Sequence, residues 1–208
     1  MPKSKSLEVQ TSENQAPEAV PLKSKEFSSL KDHFLIAMPA LKDSFFQHSI
    51  TYICSHDGSG AMGLIINNPT ELNLDEVLEQ LDIEGNHGHD CPVFLGGPIH
   101  QDHGFILHRD RGSWSSTLAV TNDIYVSTSK DILTALAQGT GPNHFKVALG
   151  YAGWDAGQLE QELLENSWLT VDASDEVLFN TPQSNIYKAA LKLLGVDETF
   201  LSSEAGHA

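Results

Sequence analysis

Ser49-Ile50-Thr51-Tyr52-Ile53-Cys54-Ser55, then His56-Asp57-Gly58-Ser59-Gly60, then Ala61-Met62-Gly63-Leu64-Ile65-Ile66-Asn67 is the part of the chain that separates one fold class from another. Two apolar, β-branched runs flank a short segment with two glycines, the pattern of a β-hairpin. Gly58 to Gly63 also satisfies G-x-G-x-x-G literally. A dinucleotide fingerprint must open a helix, so that the pyrophosphate sits at the helix N-terminus. Here the chain continues as Leu64-Ile65-Ile66-Asn67-Asn68-Pro69, β-branched and stopped by proline. The hairpin is therefore the expectation, and no nucleotide or other cofactor is expected.

On the N-terminal side of this hairpin, His33 to Met38 reads as a buried strand ended by Pro39. Downstream, Asn73 can cap a short helix, Leu74 to Leu81, whose Leu74, Val77, Leu78 and Leu81 recur at helical spacing. Strands are expected at Pro92 to Leu95, Gly104 to His108, Ser116 to Thr121 and Ile124 to Ser127. Ser129 caps a helix with Ile132, Leu133, Leu136 and Ala137 on one face, stopped by Gly139. A strand from His144 to Leu149 leads through Gly150-Tyr151-Ala152-Gly153 to a helix from about Ala156 to Asn166. Trp168 to Val171 and Val177 to Phe179 read as short extended segments, and a last helix runs from about Ser184 to Leu194. Early hairpins and later isolated helices favour α+β over a regular βαβ array. The expectation is a single compact domain, residues 30–208, with a largely antiparallel or mixed twisted β-sheet and about four helices. Residues 1–29 are rich in Ser, Glu, Lys, Gln and Pro without hydrophobic periodicity, so they read as a flexible tail.

The 208 residues carry 12 Lys and Arg against 28 Asp and Glu, a formal charge of −16. Residues 1–29 are balanced at four of each sign, so the excess falls on residues 30–208. Asp43 through His108 contains ten acids and no Lys or Arg, and Val147 through Tyr187 contains seven acids and again no cation. A nucleic-acid groove needs several cations on one face to displace counterions, so no direct nucleic-acid partner is expected. Two cysteines are too few for a disulfide scaffold. No stretch approaches the roughly 18 to 20 apolar residues of a membrane span, and no secretory apolar region follows the N-terminal lysines. The expected place is the cytoplasm.

Several segments resemble one bacterial family: Phe34-Leu35-Ile36-Ala37-Met38-Pro39, Gly60-Ala61-Met62-Gly63-Leu64-Ile65-Ile66-Asn67, Gly96-Gly97-Pro98, Gly104-Phe105-Ile106-Leu107-His108, Ala148-Leu149-Gly150-Tyr151-Ala152-Gly153-Trp154 and Gly157-Gln158-Leu159-Glu160. In this order they are similar to the YqgE/AlgH family, and Ala205-Gly206-His207-Ala208 resembles its usual ending. The likeness runs from about Leu30 to Ala208. It implies a compact cytosolic α+β protein with no established catalytic activity, and some members carry the label of transcriptional regulator. It also places a histidine at the His56 turn.

Each candidate site has a plain structural reading beside it. Cys54 and His56 fall on one face if the strand alternates, which would suit a Cys/His nucleophile. With no cation nearby to lower the thiol pKa, Cys54 reads better as a small core residue. His56 could cap the turn, bind a ligand or act with Asp57. Five of the ten histidines lie between His87 and His108, and His87-x-His89-x-Cys91 offers N and S ligands to which His100, His103 and His108 could add. The spacing matches no standard zinc unit, so a solvated loop and no metal are expected. Gly96-Gly97-Pro98 is structural punctuation first and an anion-binding turn second. Trp154 with Tyr151 could be a core plug. Together with His56, Asn67, Pro69, His108 and Gly153 these positions form the candidate functional surface. The helix carrying Gln158, Glu160, Glu162 and Glu165 reads as a solvated acidic face with Leu159, Leu163 and Leu164 inward, or as a docking surface for a basic partner.

The leading functional expectation is a non-enzymatic regulatory or adaptor protein working through a protein partner. Its rival is a small-ligand or anion binder, or a hydrolase-like enzyme, built on His56, Asn67, Gly97 and His108.

Overall fold

Phe34 and Ile36 of strand β1 (His33–Ala37) pack in one apolar cluster, and Leu35 and Ala37 pack in another. A strand buried on both faces reads as an unbroken apolar run, as HFLIA does. β1 is thus covered on both sides in this computed structural model, which describes residues 28–39, 41, 43–85 and 91–196. The expected tail up to residue 27, His87 and His89, and the ending Ala205-Gly206-His207-Ala208 lie outside the described residues.

The expected hairpin is present as β2 (Ile50–Asp57) and β3 (Gly60–Ile65), paired antiparallel from Thr51 opposite Ile65 to Asp57 opposite Gly60. Next come β4 (Pro69–Asn73), α1 (Leu74–Gln80), β5 (Pro92–Leu95), β6 (Ile99–Arg109), β7 (Thr117–Ala119), β8 (Ile124–Ser127) and α2 (Lys130–Ala137). The last described elements are β9 (Phe145–Asp155), α3 (Gln158–Leu164), β10 (Trp168–Asp172) and α4 (Ile186–Leu193). The strands form one curled sheet in the order β10-β1-β2-β3-β9-β6-β8-β7, and β5 pairs with both β4 and β9. Every pairing is antiparallel except β5 with β9, so the fold is α+β.

β9 organises this sheet. Its first half lies beside β5 and β6, with Val147 opposite both Val93 and Ile106. Its second half lies beside β3, with Ala152 opposite Gly63 and Asp155 opposite Gly60. The sequence reading ends this strand at Leu149 and makes Gly150-Tyr151-Ala152-Gly153 a connection. In the structure they are strand, because Gly150 takes φ 71° and so redirects the strand without ending it.

Three apolar clusters fill the layers. Inside the curl, Phe34, Tyr52, Leu64, Phe105 and Leu107 meet Ile186, Ala190 and Leu191 of α4. Against one half of the sheet, Leu74 and Leu78 of α1 and Ile132, Leu133 and Leu136 of α2 cover Val93, Ile106 and Val147. Against the other half, Leu159 of α3 joins Leu35, Ile53, Trp154 and Trp168. Asn73 caps α1 as expected: its Oδ1 accepts from the Glu76 amide at 3.0 Å and Glu76 Oε2 accepts from the Asn73 amide at 2.8 Å. Ser129 stands at the N-cap of α2, but its side chain makes no cap bond and donates instead to Asp131, whose Oδ1 accepts from the Ile132 amide at 2.9 Å. Asp131 Oδ2 accepts from the Ser115 amide and hydroxyl, each at 2.7 Å, and so ties the segment before β7 to the helix.

Two further expectations give way to the structure. Val177 to Phe179 lie in a π-helical turn, Glu176–Asn180, because Val177 and Leu178 both reach the cluster under α4, which successive residues of a strand could not do. β4 has no counterpart in the sequence reading, since its exposed, proline-led PTELN lacks strand patterning and it is held by Pro69 opposite Phe94 and Asn73 opposite Pro92.

Candidate functional site

The acids of α3 do not all face solvent. Glu160 and Glu162 flank the buried Leu159 around the helix, and both turn inward. Glu162 Oε2 accepts from the indole N–H groups of Trp154 at 2.8 Å and Trp168 at 2.7 Å, and Glu162 Oε1 accepts from Gln158 Nε2 at 2.9 Å. The two indoles meet edge to face, 6.0 Å between centroids. Trp154 is therefore buried as a core plug whose polar edge is satisfied by one carboxylate. Leu164 departs from the sequence reading: it is 72% exposed, because it lies about 100° around the helix from Leu163 and this two-turn helix rests on Leu159.

His56, at the end of β2, is buried. Its Nδ1 accepts from the Leu30 amide at 2.9 Å, so Nε2 carries the hydrogen and donates to Glu160 Oε1 at 2.9 Å. The imidazole thus joins the chain entering β1 to α3. Cys54 does not share its face. A β-bulge between Ile53 and Ser55 breaks the alternation, placing the thiol in the interior cluster while His56 reaches α3. Burial pushes the Cys54 thiol well above its ordinary pKa, which opposes formation of a nucleophilic thiolate. Asp57 accepts from the Ser59 amide at 2.8 Å and from its hydroxyl, and these bonds hold its carboxyl below the usual range.

Asn67 closes the other end of the hairpin. Its Oδ1 accepts from the Ile50 amide at 2.7 Å and its Nδ2 donates to the His48 carbonyl at 2.9 Å. Pro69 begins β4. Gly96-Gly97-Pro98 lies flat on β9: the Gly96 amide donates to the Leu149 carbonyl at 2.7 Å, and a Cβ on Gly97 would stand 1.9 Å from the Tyr151 carbonyl carbon.

His108 is fully buried in β6. It stacks on Tyr125 with 5.8 Å between centroids, and its Nδ1 lies 3.1 Å from the Arg109 carbonyl. Its Nε2 is 2.9 Å from Ser127 Oγ, which is 2.8 Å from Thr117 Oγ1. Burial pulls the imidazole below its ordinary pKa, so near neutral pH it accepts the Ser127 hydrogen. A serine beside a neutral histidine is the start of a nucleophilic dyad. Ser127 is itself fully buried, however, so no substrate carbonyl reaches its oxygen.

His56, Asn67, Gly97 and His108 do not line one cavity. His56 and Asn67 mark opposite ends of the hairpin, while His108 lies against the start of β9, at Phe145, and Gly97 against its middle, at Tyr151. Tyr151, Gly153 and Trp154 do come together, in an open depression of about 560 Å³ rimmed by Asp57 and Asp155.

Two features escape a sequence reading, and a third is legible there only in part, since His100 and His103 read as ligands additional to His87, His89 and Cys91 and not together with Asp102. Glu162 is one acid among several on its helix, and only the fold aims it at two indoles. Lys146 carries a signal: it is a lysine inside an apolar strand. It stands with Cys91 and His144 on a cleft of about 600 Å³, its Nζ 4.6 Å from the Phe94 ring centroid, and among the described residues no carboxylate lies within ion-pair distance. Burial lowers its pKa to about 8. Third, His100, Asp102 and His103 converge on an exposed bulge of β6, each with one donor atom within 4.8 Å of the others. His103 Nδ1 donates to Asp102 Oδ1 at 2.9 Å, and this bond holds the Asp102 carboxyl below the usual range.

Fold and site together define an α+β protein in which the most conspicuous histidines and tryptophans tie elements to one another. The AlgH-like family model matches residues 34–199. A UPF0301 protein of Thioalkalivibrio sulfidiphilus is 51% identical over 182 residues, 87% of this chain and 98% of that protein. The solution structure of the AlgH protein from Pseudomonas aeruginosa is 45% identical, covers 90% of this chain and all of its own, and superposes with a TM-score of 0.72. A crystal structure of a Corynebacterium diphtheriae protein shares the fold at 17% identity and a TM-score of 0.61. The chain belongs to the AlgH-like family. Among the described residues no helix is long and apolar enough to cross a membrane.

Proposed function

We propose that this protein is a non-enzymatic regulatory or adaptor protein of the cytoplasm that docks a basic segment of a partner protein, and that any influence on transcription runs through that contact. One observation carries the reading. Glu71, Glu76, Glu79, Asp82 and Glu84 are all exposed along β4, α1 and the turn after it, beside the exposed Leu81 and an apolar cleft lined by Leu72, Val77 and Leu133. The five carboxylates neighbour the cleft in sequence without lining it, and its wall carries Asp102 and Lys130, whose ammonium is engaged by the Leu81 carbonyl. An acidic row next to an apolar groove suits a segment carrying Lys or Arg and one or two large apolar side chains. Neither a nucleic acid nor an anionic membrane would be drawn to this face.

The rival reading, a ligand binder or hydrolase-like enzyme on His56, Asn67, Gly97 and His108, needs those residues around one cavity, and their separate positions count against it. The test is affinity capture from native lysate with the wild-type chain and with Glu79→Lys combined with Glu84→Lys. A partner retained by the first, lost by the second and released by added salt supports docking. Equal capture by both, or specific nanomolar DNA binding at physiological salt, would overturn it.

A further inference from the structure

β6 leaves and rejoins its neighbour out of step. Ile99 lies opposite Tyr151 and Gly104 opposite Leu149, so the four residues between them, opposed by Gly150 alone, form an exposed bulge. His100 takes φ 52°, a left-handed conformation uncommon for a residue other than glycine. Its ring lies 5.3 Å, centroid to centroid, from that of His103. The result is two imidazoles and one carboxylate with donor atoms no more than 4.8 Å apart, all exposed.

We propose that His100, Asp102 and His103 form a binding site for a divalent transition-metal ion. Imidazole and carboxylate are the donors that zinc and its neighbours take, and two histidines with one carboxylate make a three-point set that leaves coordination positions open. Ligands bonded to zinc at about 2.0–2.1 Å stand about 3.4 Å from one another on a tetrahedron. Closing the observed triangle to that size takes shifts of about 1 Å in exposed side chains, well within rotamer freedom. The Asp102 carboxylate already stands 2.9 Å from His103 Nδ1, so these two side chains are neighbours before an ion arrives, and an ion bound between those atoms would take the place of the hydrogen they now share. The bulge lies in the long stretch without Lys or Arg, and the cation on the wall of the adjoining cleft, Lys130, has its ammonium engaged by the Leu81 carbonyl at 2.6 Å.

The open positions have a use. Asp102 and His103 stand on the rim of a cleft of about 420 Å³, whose wall includes Leu72, Ile106, Leu133 and Leu149. An ion there faces both solvent and apolar surface, so it would take as its further ligand a donor atom attached to an apolar body. The site borders the same cleft as the proposed docking surface, but its ligands stand on the β6 bulge and not on the acidic row of α1, so zinc binding by the chain alone can be kept or lost independently of partner capture.

Zinc chloride is titrated into the full chain by calorimetry, and the stoichiometry is read by native mass spectrometry. One ion should bind in the low micromolar range. His100→Ala with His103→Ala, and separately Asp102→Asn, should weaken binding by about tenfold or more. His87→Ala with His89→Ala should leave it unchanged. The three bulge residues are exposed, and an unchanged circular-dichroism spectrum will show that the variants fold. Absence of stoichiometric binding, or a site that survives the His100/His103 change and disappears with the His87/His89 change, would overturn the proposal.

Discussion

A methyl group on Gly97 would stand 1.9 Å from the Tyr151 carbonyl carbon and 2.1 Å from its oxygen. No rotamer relieves an overlap between a Cβ and a neighbouring backbone, so β9 and the turn must separate. Gly97→Ala is expected to cost about 3 kcal/mol or more, at or beyond the upper end of ordinary overpacking, measured by urea unfolding. Lys146 is different, because its cost is electrostatic. Its folded pKa, about 8, lies below that of a free lysine. Between those values the unfolded chain binds more protons, so stability rises with pH across that window and is lower below it. Lys146→Met should therefore stabilise the protein at pH 7, on the order of 1 kcal/mol after allowing for solvent screening. The gain should shrink above pH 8. A gain that stays constant from pH 7 to 10 would mean that packing, not charge, governs the site. His108 obeys the same rule in another range. Its folded pKa is depressed by burial, so its contribution is present above the ordinary histidine value and is lost as pH falls below it. His108→Gln should flatten the acid side of the stability profile near pH 6.

Among the elements, α3 shows why local reading reaches only so far. With Glu162→Ala, the indole N–H groups of Trp154 and Trp168 both lose their acceptor, at about 1–3 kcal/mol for each one left buried and unpaired. Trp168→Phe made together with Glu162→Ala should recover part of that cost, a coupling that a double-mutant cycle by urea unfolding reads directly. The cap on α1 and the β2–β3 hairpin are legible because their signals are local: Asn73 needs only Glu76, and two β-branched runs need only a turn. Glu162 belongs to a longer class of contact, since Trp154 lies on β9 and Trp168 on β10, and no spacing encodes that meeting. The same holds for the pairing of His108 with Ser127, 19 residues apart. The extension of β9 is hidden for another reason. Glycines usually punctuate, and Gly150 here turns a strand that continues because β3 waits to pair with Ala152 and Gly153. The shared face expected of Cys54 and His56 fails at a single bulge, which shifts the period of two by one residue.

For the whole molecule, the same charge bears on stability and on the proposed docking with opposite signs. The formal charge of −16 falls wholly on residues 30–208, and ion pairs between arginine and an acid are sparse: among the described residues only Arg109 with Asp175, at 2.9 Å, comes within reach. Most carboxylates therefore repel one another through solvent, and self-repulsion of this kind opposes the compact state. Screening shortens the reach of each charge from about 30 Å at 0.01 M salt to about 8 Å at 0.15 M. The melting temperature should accordingly rise with sodium chloride, by a few degrees between low salt and about 0.15 M, and level off once the screening length falls below the spacing between acids. Docking of a basic segment on Glu71, Glu79 and Glu84 should weaken over the same range, because the same screening removes the attraction. Calorimetric melting and partner capture run side by side in one salt series test both. Rising stability with falling capture is the expected pair, whereas capture that persists while the melting temperature climbs would mean that the partner is held by the apolar cleft and not by the acidic row.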